Sequence, residues 1–139
     1  MKRQVFAIKV HVEVPGAREY VLRDQKTMYG GRLVAEGHTI YIFSSETYGG
    51  QGLLARGVVT SARESPRIPG VERQTPRVSI TVRRTAMVTR PLEKSRIQRF
   101  CDWDDGRPET ELNFKFYRQS TNKIVGISGG LGAFLRRHF

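Results

Sequence analysis

The plainest pattern lies near the start of the chain, where Phe6, Ile8, Val10, Val12 and Val14 alternate with Ala7, Lys9, His11 and Glu13. A period of two with one apolar face predicts a strand, and Pro15-Gly16 ends it. His11 falls on the polar face, which points to solvation rather than ligation. Residues 17–23 read as a short helix with Tyr20 and Val21 facing inward, and Asp24 to Arg32 as a loop given backbone freedom by Gly30 and Gly31. His38 to Phe43 is apolar on both faces, as a central strand is. The glycine turn 49–52 then leads to a second strand, Leu53 to Ala62, in which Gly57 marks a bulge or a close approach. The two form an antiparallel hairpin.

Residues 63–76 carry Pro66, Pro69 and Pro76 among charged side chains and read as an exposed loop. Val78, Ile80 and Val82 share one face of a further strand that runs to Val88. Pro91 opens a short helix in which Ile97, Phe100 and Cys101 face inward and Lys94, Arg96 and Arg99 outward. After it comes an acidic island, Asp102-Trp103-Asp104-Asp105 with Glu109 and Glu111, then a strand over Asn113 to Gln119. Ser128 caps a final helix with Leu131, Phe134, Leu135 and His138 on one face. This order predicts an α+β, mostly β fold: a small, mostly antiparallel barrel of five or six strands with peripheral short helices. At 139 residues and 38% hydrophobic, the chain is expected to form one domain over 1–139.

Charge changes this picture more than composition does. Lys and Arg number 24 against 13 Asp and Glu, a net charge of +11. Such an excess steers polyanions to the surface and gains from counterion release at phosphates. A basic surface without a ligand remains the plain alternative. The single cysteine excludes an internal disulfide and a cysteine-built zinc site, and Cys101 beside Phe100 reads as a buried small hydrophobe. The three histidines show no ligand spacing, so no metal and no cofactor are expected. Without a run of apolar residues long enough for a membrane span, and with Gln4 leading straight into a strand, no membrane is expected and the compartment reads as cytoplasmic.

Three constellations carry candidate chemistry. Lys26, Thr27, Tyr29 and Arg32 combine cations, a ring and glycine freedom, as a loop approaching a base or phosphate requires. Of the aromatic set Tyr41, Tyr48, Trp103, Phe116 and Tyr117, Trp103 is the best stacking platform for a splayed-out base, its acidic flanks able to accept from an exocyclic amine. Tyr41 and Phe116 sit inside strands and read as core. Lys115, Arg118, Asn122 and Lys123 beside Tyr117 suit phosphate and base contacts, or equally a solvated turn. The acidic island lacks calcium-loop spacing, and the glycine clusters match neither a P-loop nor a dinucleotide fingerprint.

The segments Gly37 to Ser45 and Gly52 to Val59, with Lys26-Thr27 to Gly31-Arg32 before them and Tyr117 to Ser128 after them, resemble the PUA-like superfamily, particularly its EVE and ASCH branches. The resemblance covers about two-thirds of the chain. It implies a pseudo-barrel with a cleft that reads RNA or a modified nucleobase. The leading expectation is therefore a module binding nucleic acid, RNA or DNA, or a modified nucleoside. Arg32, Arg56, Lys115 and Arg118 would hold phosphates, Tyr29, Tyr48 or Trp103 would stack on a base, and Tyr117 lies alongside. Some ASCH members are amidohydrolases of acylated nucleosides that use a lysine, a threonine and a glutamate. Lys26 and Thr27 match the first two, and Glu46 and Glu64 are candidates for the third. A basic subunit docking on an acidic protein is a third reading. Oligomeric state is not legible.

Overall fold

The protein is described by a computed structural model covering residues 4–119 and 121–139. Its strands are Val5–Val10 (β1), Glu19–Met28 (β2), Thr39–Ser44 (β3), Gly52–Glu64 (β4), Arg77–Met87 (β5) and Ile124–Ile127 (β6). They close into a barrel in the order β1-β3-β4-β5-β2-β6. Four of the six pairings are antiparallel; β1–β3 and β2–β6 are parallel. The small, mostly β barrel with peripheral short helices expected from the sequence is the architecture found.

Two apolar layers hold it together. Alternate residues of β1 and β3, among them Phe6, Ile8, Ile40 and Ile42, point into the barrel and meet Val59, Ile80, Val82 and Ile124. The opposite faces of the same strands, with Ala7, Tyr41 and Phe43, are also buried, under a cap built from Lys94–Ile97 (α1), Pro108–Leu112 (α2) and Gly129–Arg136 (α3). Phe116 seats on Phe43 at 5.1 Å between ring centroids. Each such side chain contributes about 1.5–3 kcal/mol by leaving water. This second layer is why the third strand is apolar on both faces, and it leaves Lys9 on a buried face of β1. Ser128 caps α3 as expected, its hydroxyl accepting from the Leu131 amide at 3.0 Å. Gly57 is a close approach as well as a bulge, since a Cβ there would stand 2.7 Å from the Arg83 carbonyl oxygen.

Several expected elements differ. Residues 17–23 are not helical: β2 begins at Glu19, with Tyr20 and Leu22 inward and Val21 exposed. A bulge between Leu22 and Gln25, with Asp24 at φ 51°, resets the register, so the strand's period breaks midway and its continuation to Met28 is hidden. Asn113 to Gln119 is not a strand. Asn113–Tyr117 prolongs α2 as a π-helical turn, burying Asn113, Phe116 and Tyr117 on the helical side facing the barrel. Cys101 is exposed, because α1 ends at Ile97 and the chain turns outward before reaching it. β1 stops at Val10, and Val14 is exposed.

Candidate functional site

The turn between β3 and β4 folds as a single 3-10 turn, Glu46–Tyr48, closed by Gly49 in the left-handed conformation (φ 83°). This conformation suits glycine and ends the turn sharply, leaving the Tyr48 side chain outside with the residue 61% exposed. His11 tilts against its ring at 4.9 Å. Across from Tyr48 stand Thr121 and Asn122, which precede β6. β6 is only four residues long and meets β2 at just Thr27 and Met28. Between these segments lies a recess of about 350 Å³ lined by Lys26, Thr47, Tyr48, Arg77, Thr121 and Asn122. It joins a ring, two hydroxyls, a carboxamide and two cations, the donor and acceptor set suited to a base edge with a neighbouring phosphate.

The residues next to those lining segments form a buried polar array. Glu46 accepts a 2.9 Å hydrogen bond from the Tyr117 hydroxyl. Burial first, and then the Glu46 carboxylate, push that phenol well above its ordinary value. Lys9 donates to the Phe116 carbonyl at 2.7 Å and lies 4.9 Å over the Tyr117 ring. Burial lowers its pKa, Glu46 opposes that shift, and Lys94 and Lys123 add to it. Burial also lowers Lys123, only 1% exposed. Tyr117 is thus buried with its hydroxyl already bonded, and its ring is not exposed for stacking.

A second cluster gathers four of the sequence candidates. Trp103 meets Phe114 edge-on at 5.7 Å, and Phe114 meets Tyr29 at 5.8 Å. The Arg118 guanidinium covers both Phe114 (4.7 Å) and Trp103 (5.6 Å). Lys115 stands 5.4 Å from the Tyr29 ring, donating to Glu111 Oε2 at 3.0 Å and to the Gly126 carbonyl at 2.7 Å. Tyr29 holds a left-handed backbone (φ 53°) fixed by the Gly126 amide, which donates to its carbonyl at 3.1 Å.

The other candidates lie apart. Arg56 is on the outer face of β4, 6.0 Å from the Tyr41 ring. Arg32 faces Glu64 at 3.9 Å beside the loop between β4 and β5. Thr27 turns inward and donates to the Pro76 carbonyl at 2.7 Å, while Lys26, next along β2, is exposed. Of the two glutamate candidates, Glu46 accepts from the Tyr117 hydroxyl, and Glu64 lines the same groove as Lys26. Sequence reasoning missed Thr47, Arg77 and Lys9. In the sequence Lys9 shares its strand face with His11 and Glu13, and nothing local marks that face as covered at Ala7 and Lys9. Among the described residues, no group of three His, Cys, Asp or Glu side chains is placed to hold a metal ion, and no helix is long and apolar enough to cross a membrane.

No family model matches the sequence, and no curated protein matches it. Solved structures do match. The human THYN1 protein, solved in complex with 5-methylcytosine-containing DNA, superposes with a TM-score of 0.64 at 13% identity, over 97% of this chain and 97% of that one. The fold is shared. The DUF55 domain of human thymocyte nuclear protein 1 gives a TM-score of 0.64 at 12% identity, over 94% of this chain and 95% of that one. A hypothetical protein from Leishmania major gives 0.63 at 13% identity, covering 98% and 94%. At this identity the likeness concerns the fold alone.

Proposed function

We propose that this chain is a nucleic-acid-binding module that seats one base, plain or modified, in the recess beside Tyr48. The observation that carries the reading is the recess itself, where an exposed ring, hydroxyls, an amide and cations line one cavity. Tyr48 stacks on the base, a contact worth about 1–3 kcal/mol. Asn122, Thr47 and Thr121 meet its polar edge, and Lys26 and Arg77 hold the adjacent phosphate. The net charge of +11 supports this reading by drawing polyanions in. The human neighbour solved with methylated DNA supports it by example on the same fold. An exposed lone thiol at Cys101 suits a reducing, cytoplasmic compartment.

The test is fluorescence polarisation with labelled DNA and RNA oligonucleotides, with and without 5-methylcytosine, at two salt concentrations. Binding that weakens with salt and drops in Asn122→Ala supports the module. Differential affinity for the methylated strand would identify the recess as a reader of modification. Absence of binding at low salt would remove the reading and leave the charge to an acidic protein.

A further inference from the structure

The recess does not end at its own rim. Lys26 and Arg77 also line a larger groove of about 870 Å³, which runs beneath the loop joining β4 to β5. Its other cations are Arg32, Arg67 and Arg73, set against the carboxylates of Asp24 and Glu64. Glu64 faces Arg32, and Asp24 accepts from the Ser65 hydroxyl. The groove is therefore cationic and adjoins the base-sized cavity, with Lys26 and Arg77 lining both.

The loop that roofs it is held in shape. The Gln74 carboxamide accepts from the Ile68 amide at 2.8 Å and donates to the carbonyls of Ile68 (2.7 Å) and Val71 (2.6 Å). Arg67 donates to the Glu72 carbonyl at 3.1 Å, and Arg77 to the Asp24 carbonyl at 2.8 Å. Three prolines stiffen the same stretch. A loop bonded in this way loses little conformational freedom when a ligand arrives.

Resting on the reading that the recess seats a base, we propose that this groove carries the phosphodiester backbone of the strand to which that base belongs. The ligand is then a polynucleotide and not a free nucleoside. Spaced arginines along a groove suit successive phosphates, since each guanidinium forms a planar, paired contact with phosphate oxygens.

The experiment compares mononucleotides with randomised single-stranded DNA and RNA oligomers about twelve nucleotides long, on wild-type protein and on Arg67→Ala/Arg73→Ala. Oligomers are expected to bind more tightly than mononucleotides. The double variant is expected to lose about tenfold in oligomer affinity at low salt, with its log–log salt dependence shallower by about 1.4, the value for two phosphate contacts on a single strand. Arg136→Ala/Arg137→Ala removes the same charge from the end of α3 and is expected to leave that slope in place. Because Arg67 also ties the loop, Arg73→Ala alone is measured too and should show half the change in slope. Unchanged affinity and slope in both groove variants, with Tyr48→Ala still weakening binding, would overturn the groove and leave the recess standing. The same holds if mononucleotides bind as tightly as oligomers. No oligomer binding by the wild type would overturn both.

Discussion

The Tyr48 recess and the Trp103 cluster are built from the same kinds of residue, and the structure uses them in opposite ways. Around Trp103 the cation lies on the rings: Arg118 covers Trp103 and Phe114, and Lys115 is bonded to Glu111 and a backbone carbonyl beside Tyr29. Those groups satisfy one another, each cation–π contact contributing about 0.5–1 kcal/mol at such sites. Around Tyr48 the cations stand in the cavity wall with Thr47, Thr121 and Asn122, Arg77 donating to the Asp24 carbonyl, and the ring tilts against His11. A ring paired with its own cation stabilises a fold, whereas a ring and cations facing a common space can receive a ligand. Partnership within the structure, more than residue type, separates the two.

The largest test removes what both regions share. The π-helical turn carries Phe114 toward Trp103, Phe116 onto Phe43, and Tyr117 to Glu46. Phe116 is fully buried, so Phe116→Ala leaves a cavity and is expected to cost about 3–5 kcal/mol in urea unfolding. Ligand affinity should fall with it, because Tyr117 is bonded to Glu46, the residue before Thr47 and Tyr48 of the recess. A loss below about 1 kcal/mol would mean the site can collapse around the cavity, and the turn would not be the shared anchor.

The next test sets the two rings against each other. Tyr48→Ala is expected to weaken oligonucleotide binding by about 1–3 kcal/mol, roughly fivefold to over a hundredfold, through loss of base stacking. Its unfolding midpoint should shift by no more than about 0.5 kcal/mol equivalent, as for exposed positions. Trp103→Ala should do the reverse, costing about 0.5–1 kcal/mol of stability through the lost Arg118 contact and leaving affinity in place. Affinity lost in Trp103→Ala and kept in Tyr48→Ala would invert the comparison and move the binding surface to the aromatic cluster.

How much of this was legible in the sequence depended on the range of the signal. β1 and β5 show a period of two, β3 is apolar on both faces, the glycine turn announces β4, and Ser128 stands where a capping residue belongs. β2 was hidden because its bulge at Asp24 divides one period into two short ones. The turn Asn113–Tyr117 was misread because Phe114 and Phe116 alternate with Asn113, Lys115 and Tyr117 as in a strand, while the buried set Asn113, Phe116 and Tyr117 follows helical spacing. Tyr48 was visible as an aromatic beside a glycine turn. Its partners Arg77 and Asn122 lie 29 and 74 residues further along the chain, and only barrel closure brings them together. Trp103 looked like the better platform because nothing local shows that Arg118 folds back over it.

The smallest expected effect concerns the flank where Lys115 is held. Burial by itself would raise the Glu111 carboxyl. Hydrogen bonds from the Ser128 hydroxyl, from the Ser128 amide at 2.9 Å and from Lys115 outweigh it and hold the group below its ordinary 4.5. The unfolded chain therefore takes up this proton at a higher pH than the folded one. The stabilisation is complete above 4.5 and is lost as pH falls through the lower, folded value. Urea midpoints measured on descending pH should decline in that window for the wild type and more gently for Glu111→Gln, since the amide does not titrate. Oligonucleotide affinity at neutral pH should be the same in both proteins, because the recess does not include Glu111. A slope that survives the substitution would place the titration on another carboxylate. A gain of affinity in Glu111→Gln would show that releasing Lys115 gives the ligand a new phosphate contact, and the Trp103 side would then belong to the binding surface after all.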